Sequence, residues 1–337
     1  MTQYNKYFFK NIIGNDELKK NLRSAALYSR PSHSYIFNAP GGMGKHTAAL
    51  TFAKSLQCEN ITQSGEPCGK CSSCIGVESE NNPDMIFVKA TKKTIGIDDI
   101  REQVVNKAGI KSFKYRYKIF IIENADTMTV AAQNALLKTI EEPPENCVFI
   151  MLSENYERFL PTVLSRCVLI KLMPLGETVI SSYLQNKCGI EASRADICSS
   201  FARGSLGKAL QLADSEEFIT SREYALSLIF ELNKSDLIGM YETADKFEEN
   251  KDKTEIYLDM MYLFYRDVLM YKNFGNDRFI TGKDKMAQIR MAANMYEKRD
   301  LFRILDAVSA AMTALTRNVN YKMTIENMIF KIKEKKK

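Results

Sequence analysis

A glycine-rich loop between a short apolar stretch and a helix-forming stretch constrains the fold of this chain more than any other feature. The segment reads Ser34-Tyr-Ile-Phe-Asn-Ala-Pro-Gly-Gly-Met-Gly-Lys-His-Thr47. This order of strand, loop and helix is typical of the Walker A motif, in which backbone N–H groups bind phosphate at the N-terminus of a helix. The sequence therefore predicts an α/β domain built around a phosphate-binding loop.

The loop departs from the motif at two positions that matter for chemistry. Ala39 stands where the motif has its first glycine, and His46 stands where a Ser or Thr would hold Mg²⁺. Lys45, whose ammonium group would reach the β- and γ-phosphates, is present. We therefore expect a degenerate nucleotide pocket. Its predicted residues are Gly41, Gly42, Gly44, Lys45, His46, Thr47 and Glu123.

The second half of the phosphate site, Lys118–Asp126, is degenerate as well. It reads as a buried strand that ends in polar residues, as a Walker B element does. Glu123 takes the place of the Asp that anchors Mg²⁺, and Asn124 takes that of the Glu that activates water. Because an amide cannot accept a proton at neutral pH, this loss costs about 10²–10⁴ in rate. Lys45 is expected either to bind nucleotide weakly or to pair with Glu123.

Four cysteines predict a metal site directly after the loop's helix. Cys58 is followed by Cys68-Gly-Lys-Cys71-Ser-Ser-Cys74, so that two C-x₂-C steps and one upstream thiolate make a Cys₄ set. Four protein ligands leave no open coordination position, which favours structural zinc. An iron–sulfur cluster is the alternative, since thiolates suit both. The remaining cysteines are expected to be small buried side chains; they are Cys147, Cys167, Cys188 and Cys198.

Strand-like and helix-like stretches alternate up to about residue 172, after which the strand pattern stops. Continuous apolar runs predict strands that are buried on both faces, and we therefore expect four or five parallel strands flanked by helices. Longer amphipathic helices are predicted from about Ser215 on. No apolar run reaches 18 residues and the N-terminus lacks an apolar signal core, so a cytoplasmic protein is expected.

An ordered set of motifs over about the first 210 residues resembles the clamp-loader AAA+ proteins of bacterial DNA polymerase III. The motifs are Ile12-Ile13-Gly14, His33–Phe37, the glycine-rich loop, Cys58–Cys74, Ile121–Asp126, Ala132–Lys138, Glu141-Glu-Pro-Pro144 and Ser165-Arg-Cys167. The resemblance implies an AAA+ domain over 1–173 with a zinc module at 58–74. A helical lid over 174–212 and a helical oligomerisation domain (collar) over 213–337 would follow.

The departures from the motifs favour one branch of that family. The gamma/tau motor branch has intact Walker motifs and a sensor arginine in the lid, whereas this chain has Gly207 at the sensor position, with Lys208 beside it. The resemblance therefore implies a delta-prime-type subunit without ATPase activity of its own. Its partners would be gamma/tau and delta subunits, with the sliding clamp and primed DNA reached through the complex.

Arg166 is the residue that the resemblance marks as functional. In clamp loaders the Arg of the Ser-Arg-Cys motif reaches the ATP of the neighbouring subunit, and such an arginine is worth about 10³–10⁵ in turnover. From the residues alone, a surface Arg that caps a helix or pairs with a carboxylate is the favoured interpretation.

Two alternative functions remain open at the level of sequence. One is an active gamma/tau-like ATPase that tolerates His46 and Asn124, and the other is a zinc-bearing DNA-binding protein on an AAA+ scaffold. The net charge of +6 is too small to demand nucleic acid. A basic stretch could face DNA, although a solvated loop is the favoured interpretation; its residues are Lys107, Lys111, Lys114, Arg116 and Lys118.

Overall fold

The computed structural model describes residues 6–317 and 319–334. The chain forms two compact units, of which the first comprises the chain up to Ile180 together with Ala202–Lys208. The second comprises Ser181–Phe201 and the chain from Ala209 on. The outer ends of the predicted domains, 1–5 and 335–337, lie outside the described residues. The division into three domains stays a prediction.

A five-stranded parallel sheet forms the centre of the first unit. Its strands are β1 (Ser34–Asn38), β2 (Met85–Val88), β3 (Lys118–Ile122), β4 (Cys147–Ser153) and β5 (Val168–Lys171). Their order across the sheet is β2-β3-β4-β1-β5. The strand that leads into the glycine-rich loop therefore lies inside the sheet, hydrogen-bonded to β4 on one side and to β5 on the other.

Helices connect the parallel strands, as this topology requires. Those of the first unit are α1 (Asp16–Leu27), α2 (Lys45–Leu56), α3 (Ser72–Glu78), α4 (Ile97–Ile100), α5 (Asn106–Ala108), α6 (Val130–Glu141) and α7 (Pro161–Leu164). A π-helical segment, Arg101–Val105, joins α4 to α5. The Thr129 hydroxyl caps α6 by accepting the N–H of Ala132, and Pro143-Pro144 follows the end of α6.

The two faces of the sheet lie in two separate apolar cores. Because successive side chains of a strand alternate between faces, Phe37 packs with the residues of α1 and α2, whereas Ile36 packs with those of α4 and α6. On the second face Phe120 and Phe149 stack with ring centroids 5.0 Å apart. Both faces of β3 and β4 are buried, which explains why their sequences are continuously apolar.

The rest of the described chain is helical. The remaining helices are α8 (Glu177–Cys188), α9 (Ala192–Phe201), α10 (Leu206–Asp214), α11 (Glu216–Lys234), α12 (Leu237–Glu249), α13 (Thr254–Phe274), α14 (Met286–Met295), α15 (Lys298–Thr316) and α16 (Tyr321–Lys333). Helix α13 is central in the second unit, where it packs against α11, α14 and α15. Its Tyr265 is fully buried, and Phe264 meets Phe230 edge to face. The aromatic residues of this region thus build a core.

Short 3₁₀ turns complete the secondary structure. They are Phe9–Asn11, Ala125–Thr127, Tyr156–Arg158, Lys251–Lys253 and Lys283–Lys285. The predicted fold class, a parallel α/β domain with flanking helices followed by a helical region, is confirmed. Among the described residues, no helix combines the length and apolar character that crossing a membrane requires.

Candidate functional site

The glycine-rich loop keeps the backbone geometry of a phosphate-binding turn. Gly42 and Gly44 have φ angles of 73° and 88°, which glycine adopts without a steric penalty. Gly44 directly precedes α2, and its carbonyl accepts the N–H of Ala48 at 2.9 Å. Lys45, His46 and Thr47 form the first turn of α2. The loop therefore lies at the positive N-terminal end of a helix, where anions bind favourably.

The Lys45 ammonium group is held by acceptors of the chain itself. Its Nζ lies 3.0 Å from the carbonyl oxygen of Ala39 and 3.1 Å from Oε1 of Glu154. The predicted ion pair with Glu123 is wrong, because Glu154 takes that place. A phosphate group that binds Lys45 has to compete with this carboxylate.

Sequence reasoning missed Glu154. It follows Ser153, the last residue of β4, and β4 lies next to β1 in the sheet. The carboxyl ends of neighbouring parallel strands meet at one edge of the sheet. A charged residue directly after β4 was therefore the sequence signal that could have placed Glu154 near the glycine-rich loop. The N–H of Glu154 donates to Oδ1 of Asp126 at 3.4 Å, which brings a second carboxylate close to the same edge.

Glu123, which follows β3, lies close to the first turn of α2. Oε1 of Glu123 is 3.7 Å from Nε2 of His46, and its Oε2 is 3.8 Å from Nζ of Lys89. Asn124 has a φ angle of 49°, a left-handed conformation in which Asn is enriched. The carboxylate that replaces the Mg²⁺-anchoring Asp thus lies near the imidazole that replaces the Mg²⁺-binding hydroxyl.

A segment at the start of α10 packs directly on the glycine-rich loop. The N–H of Gly207 donates to the carbonyl of Gly42 at 2.9 Å, and the hydroxyl of Ser205 donates to the carbonyl of Gly41 at 3.0 Å. A Cβ atom on Gly207 would lie 2.8 Å from both the Cα and the carbonyl oxygen of Gly42. This close backbone approach leaves no room for an arginine at position 207.

The four predicted metal ligands come together. The Sγ atoms of Cys58, Cys68, Cys71 and Cys74 all lie within 4.8 Å of one another. The Cys68 N–H donates to Sγ of Cys58 at 3.2 Å, and a hydrogen bond from the Cys74 thiol is the main cause that lowers the Cys58 pKa to about 5. Burial raises the pKa of Cys71. A donor set of four sulfurs at this spacing fits a tetrahedral zinc ion.

Two glutamates connect this cysteine module to neighbouring parts of the first unit. Glu66 accepts the N–H groups of Phe9 and Lys10 at 2.9 and 3.0 Å. Glu78, at the end of α3, pairs with Lys54 of α2 at 2.5 Å, and both side chains are almost fully buried. Glu78 also accepts the N–H of Tyr7 at 3.0 Å. The module therefore holds the N-terminal segment against the helix that follows the phosphate loop.

Of the other four cysteines, Cys147 and Cys198 are buried as predicted, whereas Cys167 is half-buried. The prediction was wrong for Cys188, which is exposed at the C-terminal end of α8.

Arg166 lies in the turn between α7 and β5. Its N–H donates to the carbonyl of Val163 at 3.1 Å, which fixes the backbone of this turn. Its side chain is 39% exposed and its Nε lies 2.8 Å from Oε1 of Glu141. The side chain is thus both accessible and paired with a carboxylate.

One member of the basic stretch is not on the surface. Lys118 is buried, and its Nζ donates to the carbonyls of Lys107 and Ile110 at 2.8 and 2.9 Å. The buried Asp84 accepts the N–H groups of three successive residues, Phe113–Tyr115. The loop that follows α5 is therefore pinned from two sides, and Lys118 has a structural role.

Together, the parallel sheet, the glycine-rich loop before α2 and the polar residues after β3 define an α/β domain of the phosphate-loop type. Two sequence models of one family match most of this chain. The model described as "DNA polymerase III, delta subunit" matches residues 14–176, and "DNA polymerase III, delta subunit, C terminal" matches residues 216–334.

The chain belongs to this DNA polymerase III delta-subunit family. It is 30% identical over 320 residues to the DNA polymerase III subunit delta' of Bacillus subtilis, covering 94% of this chain and 95% of that protein. It is 28% identical over 324 residues to the subunit tau of the same organism, covering 89% of this chain but 57% of that protein.

The chain was also compared with solved structures. The gamma subunit-related protein of Thermotoga maritima is 16% identical, with a TM-score of 0.48, over 91% of this chain and 97% of that chain. The family predicted from the motifs, the clamp-loader subunits of DNA polymerase III, is confirmed by the sequence relatives.

Proposed function

We propose that this chain is a delta-prime-type subunit of a clamp loader that does not hydrolyse ATP itself. The observation that carries the proposal is the state of Lys45, which lies against Glu154 within hydrogen-bonding distance. A cation paired with a carboxylate is a poor ligand for the γ-phosphate, which carries negative charge as well. The replacements at His46 and Asn124 act in the same direction, since they remove a metal ligand and a general base.

The proposed role of the chain lies in a neighbour's active site. Arg166 would stabilise the charge that develops on the γ-phosphate of ATP bound by an adjoining gamma/tau-type subunit. The exposure of its guanidinium group and the rigid turn that carries it support this role. The chain would assemble through its C-terminal helices with gamma/tau and delta subunits, and the complex would place the sliding clamp on primed DNA in the cytoplasm.

We further propose that the cysteine module holds a structural zinc ion. Cys58, Cys68, Cys71 and Cys74 would fill all four coordination positions, so that the metal supplies folding energy rather than catalysis. The bonds from Glu66 and Glu78 to the N-terminal segment make this module part of the domain's framework.

Hydrolysis of ATP by the purified chain, with Mg²⁺ and primed DNA, tests the first part of the proposal. We expect no turnover above that of a Lys45→Ala control. Turnover that is lost in Lys45→Ala would instead assign the chain to the gamma/tau-like motors, the alternative that the similarity to the tau subunit favours.

The second part is tested in the reconstituted complex of this chain with gamma/tau and delta subunits. Arg166→Ala is expected to lower ATP turnover by at least about 10³-fold at the adjoining site. Arg158→Ala, an exposed arginine on the same connection between β4 and β5, is the matched control and is expected to leave turnover unchanged. Equal turnover of the Arg166→Ala complex and the unmodified complex would refute the proposed role.

A further inference from the structure

The guanidinium group of Arg166 is oriented by two hydrogen-bond acceptors and one ion-pair partner of the chain. Nε lies 2.8 Å from Oε1 of Glu141, while Nη1 donates to the carbonyl of Thr162 at 2.9 Å and to Oγ of Ser165 at 3.1 Å. No residue that the structure describes accepts a hydrogen bond from Nη2. Because the group is planar and its donors form a rigid fork, holding two nitrogens fixes the direction of the third.

Glu141 occupies a position that the helix itself disfavours. It is the last residue of α6, where the unpaired carbonyls of the helix end give a partial negative charge. A carboxylate at this end is disfavoured, whereas a cation is favoured. Pro143-Pro144 ends the helix there and so fixes where Glu141 stands. The ion pair with Arg166 offsets the unfavourable placement.

Helix α6 holds the segment that carries Arg166 at a second point. The buried amide of Gln133 accepts the N–H of Leu160 at 2.7 Å, and its Nε2 donates to the carbonyl of Arg158 at 3.1 Å. Leu160 is the residue that precedes α7. Both ends of the short connection that leads to Arg166 are thus tied to one rigid helix, by Gln133 at the start and by Glu141 at the end.

We propose that Glu141 is a positioning residue for the reaction, because it holds the Arg166 guanidinium in the orientation that presents Nη2 to a neighbour's γ-phosphate. This inference rests on the proposed function of Arg166 in trans. An unbraced arginine side chain loses rotamer entropy when it becomes fixed. The ion pair with Glu141 restricts the Arg166 side chain before the neighbouring subunit binds, so that less entropy is lost on binding.

The ion pair itself contributes little to the stability of the fold. The side chain of Arg166 is 39% exposed and that of Glu141 is 43% exposed, so that solvent screens the attraction between the two charges. A variant at position 141 is therefore expected to fold and assemble normally. Its effect on turnover can then be attributed to the placement of Arg166.

The test uses the reconstituted complex that contains the full chain. Glu141→Ala is expected to lower kcat for ATP hydrolysis about tenfold and to leave KM unchanged. The reason is that a misplaced Arg166 guanidinium stabilises the transition state less well, whereas the binding of ATP to the neighbouring subunit is unaffected. Glu141→Asp, which keeps the carboxylate that pairs with Arg166, is expected to retain more of the turnover than Glu141→Ala. Glu142→Ala is the matched control, since Glu142 is the adjacent exposed glutamate and the structure describes no ion pair between it and Arg166.

A double variant separates positioning from a general structural effect. In the Arg166→Ala background, Glu141→Ala is expected to change kcat no further, whereas damage to the fold would add to the loss. If Arg166→Ala lowers turnover but Glu141→Ala does not, the inference about Glu141 fails and the proposed function stands. A rise in kcat for Glu141→Ala also overturns it, because the carboxylate would then hold Arg166 away from its target. If Arg166→Ala itself has no effect, both fail.

Discussion

The charge of Lys45 is balanced by Glu154, a carboxylate of the same chain. At about 4 Å in water a pair of unit charges interacts with about 1 kcal/mol, and the Lys45–Glu154 distance is 3.1 Å. Glu154 also lies close to the loop backbone, since a Cβ atom on Gly41 would be 3.3 Å from its Oε1. An incoming phosphate therefore meets a neutralised cation and a nearby carboxylate.

We predict that Glu154→Gln strengthens the binding of ATP to the isolated chain about fivefold, because it removes the repulsion and frees Lys45. Isothermal titration with Mg·ATP measures the change. Glu157→Gln, an exposed glutamate three residues further on, serves as the control and should leave the affinity as it is. Equal affinities of the Glu154→Gln variant and the unmodified chain would show that Lys45 does not limit binding.

At the level of elements, the cysteine module connects parts of the chain that are distant in sequence. Glu66 lies between Cys58 and Cys68 and binds the backbone of the N-terminal segment, while Glu78 ends the helix that contains Cys74. A metal ion that fixes the cysteines also fixes these two glutamates. The stability of the N-terminal segment should consequently depend on the metal.

We predict that Cys71→Ser, or removal of metal with a strong chelator, abolishes the binding of one zinc ion per chain. Hydrogen exchange at the amides of Tyr7, Phe9 and Lys10 should become much faster, since their acceptors lose their fixed positions. Zinc analysis and exchange measured by mass spectrometry check this. Cys188→Ser should change neither quantity, and unchanged exchange in Cys71→Ser would contradict the structural role.

Elements were predictable from the sequence where local pattern and burial agree. The strand leading into the glycine-rich loop, the start of α2 at Lys45 and the end of α6 before Pro143 follow from local signals. The apolar run at Val168–Leu172 gave no sign that β5 is an edge strand, since this depends on which strands pair. The π segment at Arg101–Val105 has no pattern of its own.

Contacts between distant side chains were the least predictable part of the site. The cysteine cluster could be predicted because its ligands lie close together in sequence at a characteristic spacing. The partners of Lys45 and Arg166 could not, because Glu154 and Glu141 are brought to them by the sheet order and by the packing of α6. A sequence without structure gives many carboxylates that could pair with a given cation.

For the whole molecule, the proposed function implies that nucleotide has little influence on stability. A ligand that binds the folded state at 100 times its Kd stabilises a protein by about 2.7 kcal/mol. We predict that millimolar Mg·ATP leaves the thermal unfolding midpoint of the isolated chain unchanged, as it does for Lys45→Ala. Differential scanning calorimetry is the measurement. An upward shift that disappears in Lys45→Ala would show that the degenerate pocket still binds nucleotide.

The contact between Gly207 and Gly42 also bears on how such a chain can change in evolution. A Cβ atom at position 207 would lie 2.8 Å from the backbone of Gly42, so any residue other than glycine requires the two segments to separate. Restoring an arginine there by a single codon change would therefore damage the fold before it returned any catalytic benefit. Position 207 is therefore closed to every one-step substitution unless the two backbone segments first move apart.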